Sequence, residues 1–342
     1  MDVHTEKSRL LNILNGQSVD RPSVICPGGM MNAAVTEVVE PIIKSRGGRG
    51  NHNIHSKDMV EAARRVHDQT GFENYGVPFC MTAEVEPLGI QTDYGDAFME
   101  PRVTQYTELS IDAIVRKGRV KVLEYPRMKA VVEAIDQLKN ESIPVIGNIT
   151  GHISTASSAV DPNVFFKSLI KKPMDSHALL DYINAYLIEY AKEMVHAGAD
   201  IIAISDPTAT GEILGERMFR AFALPYYKVF LEALRPLGIP IIFHMCGKSS
   251  NVIEAMNEAG FQALSFDSVV NMKMAREKVN CCLMGNVNTQ ALNFESCEKI
   301  ESLAKTALES GVDIVSPACG LGMGTPVSNI RAMTQYVKAY RG

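Results

Sequence analysis

KEMVHAGADIIAISDP, residues 192–207, changes its period in the middle. Up to Gly198 the apolar residues fall at helical spacing, and a glycine just past the last periodic residue is where helices tend to stop. From Ile201, just past Asp200, the run is short, branched and continuously apolar, as expected of a strand covered on both faces, and then ends in Ser205, Asp206 and Pro207. A helix feeding a buried strand that finishes in polar residues is the repeating unit of a parallel α/β protein.

Seven more runs have this character: SVICPG (23–28), ENYGVPF (73–79), IPVIGNIT (143–150), IPIIFHMC (239–246), QALSFD (262–267), CCLMGNVN (281–288) and DIVSPACG (313–320). With ADIIAISDP (199–207) they make eight. Amphipathic segments separate them, among them SKDMVEAARRVHDQTG (56–71), GERMFRAFALPYYKVFLEALRPLG (215–238) and CEKIESLAKTALESG (297–311). Short buried strands alternating with helices pair in parallel, and eight such units in one chain favour a closed (β/α)8 TIM barrel over an open doubly wound sheet. Two pieces fall outside the alternation. One is an N-terminal helix around residues 5–15, and the other is an excursion after strand 2, about 83–125, in which VTQYTELSI (103–111) alternates as a hairpin strand would. No repeat, low-complexity tract or Pro/Gly/Ser-rich linker divides the chain, so residues 1–342 read as one domain.

Composition narrows the functional classes. The 342 residues carry a net charge of −5, and KSRGGRG (44–50) is too short and glycine-broken to track phosphates, which argues against nucleic acid. No stretch approaches a membrane span and the N-terminus has no apolar leader, so a cytoplasmic location is expected. Seven cysteines without secretory context favour free thiols or metal ligands over a disulfide framework.

In a (β/α)8 barrel the active site lies at the C-terminal ends of the strands. His244 and Cys246 end strand 5; two residues apart, they share a face, with Met245 pointing the other way. An imidazole and a soft thiolate converging on one spot suit zinc, and Cys319 at the end of strand 8 can supply a third ligand, leaving a coordination position open as catalytic sites do. The alternative for a lone H-x-C is a packed thiol beside a histidine satisfied by backbone. Asp267 at the end of strand 6 is a candidate fourth ligand, or a partner fixing the His244 tautomer, or a helix N-cap. Asp206 ends strand 4, where it either contacts substrate or cofactor or starts a turn. Met30, Met31 and Asn32 follow strand 1, Glu84 follows strand 2, and Asn148 and Asn286 lie near the ends of strands 3 and 7; all are candidate pocket residues. Cys80 reads as a packed thiol.

These segments resemble the uroporphyrinogen decarboxylase superfamily. LLNILNGQSVDRPSV, HAGADIIAISDPTA, FALPYYKVF, ALSFD, MGNVNTQAL and GTPVSNIRAMTQYV occur in the family's order over nearly the whole chain. The decarboxylases carry an arginine-containing segment after strand 1; CPGGMMN (26–32) stands there instead, with no arginine to hold propionates. The chain is similar to the cobamide-dependent methyltransferases, whose His-x-Cys and distant Cys correspond to His244, Cys246 and Cys319. That resemblance implies Zn2+, a corrinoid (cobalamin) carried by a partner protein, and methyl transfer between cobalt and a small molecule. CPGGMMNAAVTEVV looks more like the bacterial O-demethylase components, so demethylation of a phenyl methyl ether is the first expectation. Methylation of coenzyme M or another thiol is the second, metal-free decarboxylation of a tetrapyrrole the third, and a non-catalytic zinc- or corrinoid-binding module the fourth.

Overall fold

The computed structural model describes residues 4–48 and 50–341. Each of the eight runs contributes one strand to a single sheet: β1 (Ser23–Val24), β2 (Tyr75–Val77), β5 (Val145–Thr150), β6 (Ile201–Ser205), β7 (Ile241–Met245), β8 (Ala263–Phe266), β9 (Cys282–Val287) and β10 (Ile314–Pro317). Their order is β1-β10-β9-β8-β7-β6-β5-β2, and every neighbouring pair is parallel. Helices cover the outer face, which is why β5, β6, β7, β8 and β10 are buried at every position and read as continuous apolar runs. This is the expected (β/α)8 architecture.

β1 and β2 stand at the two ends of that order, and side chains close the seam between them. Val24 O accepts from Glu73 N at 2.9 Å, while Val24 N donates to Glu73 Oε2 at 3.0 Å. One step on, Asn74 imitates a neighbouring strand: its Oδ1 accepts from Cys26 N at 2.9 Å and its Nδ2 donates to Cys26 O at 3.0 Å. The approach is so close that a Cβ on Gly76 would lie 1.8 Å from Pro27 O. Glu73 is fully buried, and Arg9 (3.2 Å) and Arg21 (3.0 Å) neutralise it. Arg9 belongs to the N-terminal helix Glu6–Leu14, which Thr5 caps by accepting from Ser8 N, so this appended helix is tied to the seam through one ion pair.

Two local expectations need correction. The long segment 215–238 is two helices, Gly215–Phe222 and Leu224–Leu234, because Pro225 has no N–H to donate to Ala221 and its ring crowds that carbonyl. The excursion does hold a hairpin, but it pairs β3 (Gln91–Asp93) with β4 (Arg102–Gln105). The rest of VTQYTELSI leaves the strand and enters a short helix, Ile111–Val115, which Ser110 caps by accepting from Ala113 N.

Candidate metal centre

His244 is the fourth residue of β7, and Cys246 follows the strand end directly. Strand alternation sends Met245 to the opposite side, where it is completely buried. Cys319 arrives two residues beyond β10. The ligand atoms of His244, Cys246 and Cys319 lie within 4.8 Å of one another, a convergence no other group of His, Cys, Asp and Glu makes among the described residues. The two sulfurs are 2.9 Å apart, beyond the roughly 2.05 Å of a disulfide bond.

The donor set fits zinc on two grounds. The β7–β8 register places Ser265 beside His244, and Ser265 Oγ lies 3.0 Å from His244 Nδ1. His244 Nε2 is buried without a hydrogen-bond partner. An orphaned polar atom of this kind costs about 1–3 kcal/mol, a penalty that a metal on Nε2 would remove. In addition, two sulfurs and one imidazole are the soft and borderline donors that zinc prefers. The contact between the two sulfurs pushes the Cys246 thiol up and holds Cys319 below the usual thiol range.

Asp267 sits just outside this triad. Its Oδ2 accepts from Cys246 Sγ at 3.3 Å and from Gly247 N at 3.0 Å, and its Oδ1 accepts from Ser268 Oγ and Val269 N. Burial works to raise its pKa, but these four donors outweigh burial and hold the carboxyl below its ordinary value. Two of the expectations for Asp267 are corrected. Ser265, not Asp267, meets the His244 ring, and the next helix, Met272–Lys278, is capped by Asn271. Asn286 fixes the turn from outside, donating to Asp267 O and Val270 O at 3.1 Å each.

The remaining candidates are placed unevenly. Gly28–Asn32 packs against the segment after Cys319: Leu321 N donates to Asn32 O, and a Cβ on Gly320 would meet Met30 O at 2.4 Å. Met31 is buried with its Sδ 3.7 Å from Ser265 Oγ, and Asn32 Nδ2 donates to Glu100 Oε1 at 2.7 Å. Asp206 is committed to the fold. It is fully buried, accepting from Ile153 N (3.2 Å), Ser154 N (2.8 Å), Ser154 Oγ (2.6 Å) and Tyr227 Oη (2.7 Å), so it caps the helix His152–Ala159. Desolvation raises its pKa. Glu84 is likewise spent on the fold, its two oxygens taking Thr150 N and Thr150 Oγ1 at 2.9 and 3.1 Å, with burial raising its pKa. Asn148 stitches the seam by donating to Pro27 O and Val77 O. Cys80 is buried, with Arg127 Nη2 2.8 Å from its sulfur. Sequence reasoning missed Ser265, although its parity with Asp267 put a hydroxyl on the same face of β8. Two clefts of about 960 and 810 Å3 lie at the other end of the barrel around Pro240, Gln262 and Cys281, and hold none of the triad.

A family model described as uroporphyrinogen decarboxylase (URO-D) matches residues 5–340. The chain belongs to the uroporphyrinogen decarboxylase family. Within that family its relatives are unequal. The methylcobamide:CoM methyltransferase MtbA of Methanosarcina acetivorans is 31% identical over 100% of both chains. A uroporphyrinogen decarboxylase of Anaeromyxobacter dehalogenans is 26% identical over 68% of this chain and 69% of its own. A solved methyltransferase from Methanosarcina mazei superposes with a TM-score of 0.88 at 29% identity, covering 98% of this chain and 99% of that one. These likenesses set the chain in the methyltransferase branch of the family.

Proposed function

We propose that this protein is a zinc- and corrinoid-dependent methyltransferase that moves a methyl group from the cobalt of a corrinoid carried by a partner protein to a small thiol. The observation that carries this reading is the convergence of His244, Cys246 and Cys319 at the strand ends. Ether demethylation, the first expectation from sequence, gives way to the second. The Methanosarcina acetivorans relative, matched over its full length, is named for transfer between methylcobamide and CoM and not for an aryl ether.

His244 Nε2, Cys246 Sγ and Cys319 Sγ would hold the zinc, which when bound supplies the Lewis acidity that keeps an incoming thiol in its thiolate form at neutral pH. Three protein donors leave room for one exogenous ligand. Two thiolates among the donors would bring the centre's charge near zero. The transfer this site would serve exchanges one bond for another: the thiolate's electron pair would form the new S–CH3 bond, and the partner's corrinoid would keep the pair of the broken Co–CH3 bond. The chain's own residues prepare that step. Ser265 holds the imidazole in place, and Cys246 would give up its proton on binding the metal. Asp267, kept ionised by its donors, orients Cys246 and Gly247 and is a poor candidate for a general base.

The test is turnover of methylcobalamin with zinc-loaded protein and a panel of thiols that includes coenzyme M. Thiol-dependent loss of the methyl–cobalt absorbance supports the reading. No loss with any thiol, together with Co(I)-dependent demethylation of a methoxylated aromatic, would overturn the thiol assignment.

A further inference from the structure

A serine beside a histidine leaves the imidazole tautomer undecided. The hydroxyl can accept from a protonated Nδ1, which leaves a lone pair on Nε2, or it can donate to a bare Nδ1, which puts the proton on Nε2 and blocks it as a ligand. His244 faces this choice with Ser265 Oγ, 3.0 Å from Nδ1. The side chain of Ser265 has one other partner among the described residues, Met31 Sδ at 3.7 Å. A thioether carries no proton and can only accept. Both Ser265 and Met31 are buried, so water does not compete for the hydroxyl. Met31 reaches this point from the loop after β1, across the barrel mouth from β8, and the loop is held by the bonds of Gly28 N and Cys26 Sγ to Met31 O.

From this chain of three atoms we infer that Met31 and Ser265 together set the His244 tautomer: the Met31 thioether accepts the hydrogen bond of the Ser265 hydroxyl, which turns the Ser265 lone pair to Nδ1–H and leaves Nε2 bare to face the two sulfurs. Both are positioning residues, acting through His244. The inference rests on the metal-centre reading for its purpose but not for its geometry, since the tautomer is a property of the metal-free protein. Met31, a candidate pocket residue in the sequence, thus acquires a role behind the ligand.

The experiment is 15N NMR of histidine-labelled, metal-free protein, with the His244 signals assigned by their loss in His244→Gln, alongside zinc affinity by chelator competition. Wild type is expected to carry the proton on Nδ1. Met31→Leu conserves volume and removes the one acceptor, among the described residues, that competes with His244 Nδ1 for the hydroxyl; it should show a population protonated on Nε2, and zinc binding weaker by on the order of tenfold, the usual effect of losing a residue behind a metal ligand. Ser265→Ala should behave similarly, and Ser265→Thr, which keeps the hydroxyl, should restore the wild-type pattern. Should Ser265→Ala not fold, Met31→Leu carries the test alone. Retention of Nδ1–H and of zinc affinity within about twofold in Met31→Leu would overturn the inference. A wild type that binds no zinc would instead overturn the metal-centre reading, while the NMR result would still report on Met31 and Ser265.

Discussion

Replacing Asp206 by Asn separates a residue that holds the fold from one that touches a ligand. The carboxylate accepts two hydrogen bonds on each oxygen: Ser154 N and Oγ on one, Ile153 N and Tyr227 Oη on the other. An amide of the same shape must turn its NH2 toward one of these pairs. The hydroxyl of either pair can rotate away, but the backbone N–H cannot and is left facing a donor. That backbone N–H and the amide N–H it faces are both left unsatisfied; each such buried donor costs about 1–3 kcal/mol, so the pair costs about 2–6 kcal/mol. Desolvation already raises the Asp206 pKa, so the variant recovers part of this by no longer burying a charge. A net loss of about 2 kcal/mol, spread over an unfolding entropy of about 0.7 kcal/mol/K for 342 residues, lowers Tm by about 3 °C. Calorimetry measures the shift, and zinc content should equal that of wild type. A Tm within about 1 °C of wild type combined with abolished turnover would show that the carboxylate acts on a ligand and that the burial argument is wrong.

Burial pushes both His52 and His152 down to about 3, so in the folded protein they stay neutral where unfolded imidazoles, with an ordinary value of 6.5, take up protons. Their contribution is therefore fully present above pH 6.5 and is lost as pH falls toward 3; between pH 7 and 5 each removes about 2 kcal/mol. Ring NMR should show both neutral throughout pH 7.5 to 5, and titration of either in that range contradicts the burial. Glu73→Ala leaves Arg9 and Arg21 without their buried partner and Val24 N without an acceptor, and should cost about 3–5 kcal/mol in urea denaturation; a loss below about 1 kcal/mol means the seam does not depend on it. Gly76→Ala puts a methyl against the Pro27 carbonyl, which is backbone and cannot swing aside, so the variant should unfold at markedly lower urea; wild-type stability would show that β1 and β2 are not apposed as described.

The eight strands were legible because helices cover the sheet and turn each strand into a short apolar run, and the period change at Gly198 shows where one unit ends. The triad was legible for a related reason: His244 and Cys246 end a buried strand on one face, and Cys319 ends another, so three metal-ligating residue types fall at the same rim. Ser265 was hidden because it lies within β8 instead of at its end, and because its partnership with His244 depends on the β7–β8 register, which no local pattern encodes. Asp206 misled for the opposite reason. It occupies a strand end like a functional residue, yet Ser154 and Tyr227, far away in the chain, bury it as a cap. The closure of the barrel by Glu73 and Asn74 was equally invisible, since side chains there replace a ladder that a two-residue β1 is too short to make.

Methyl transfer as proposed requires His244, Cys246 and Cys319 to hold one catalytic zinc. Elemental analysis of the purified protein and of Cys246→Ala, Cys319→Ala and His244→Ala decides whether they do, with circular dichroism to verify folding. One zinc per wild-type chain is expected, with metal and methyl transfer lost together in each folded variant. Stoichiometric zinc retained in Cys246→Ala and Cys319→Ala, or a wild type that turns over with no metal bound, would refute the assignment.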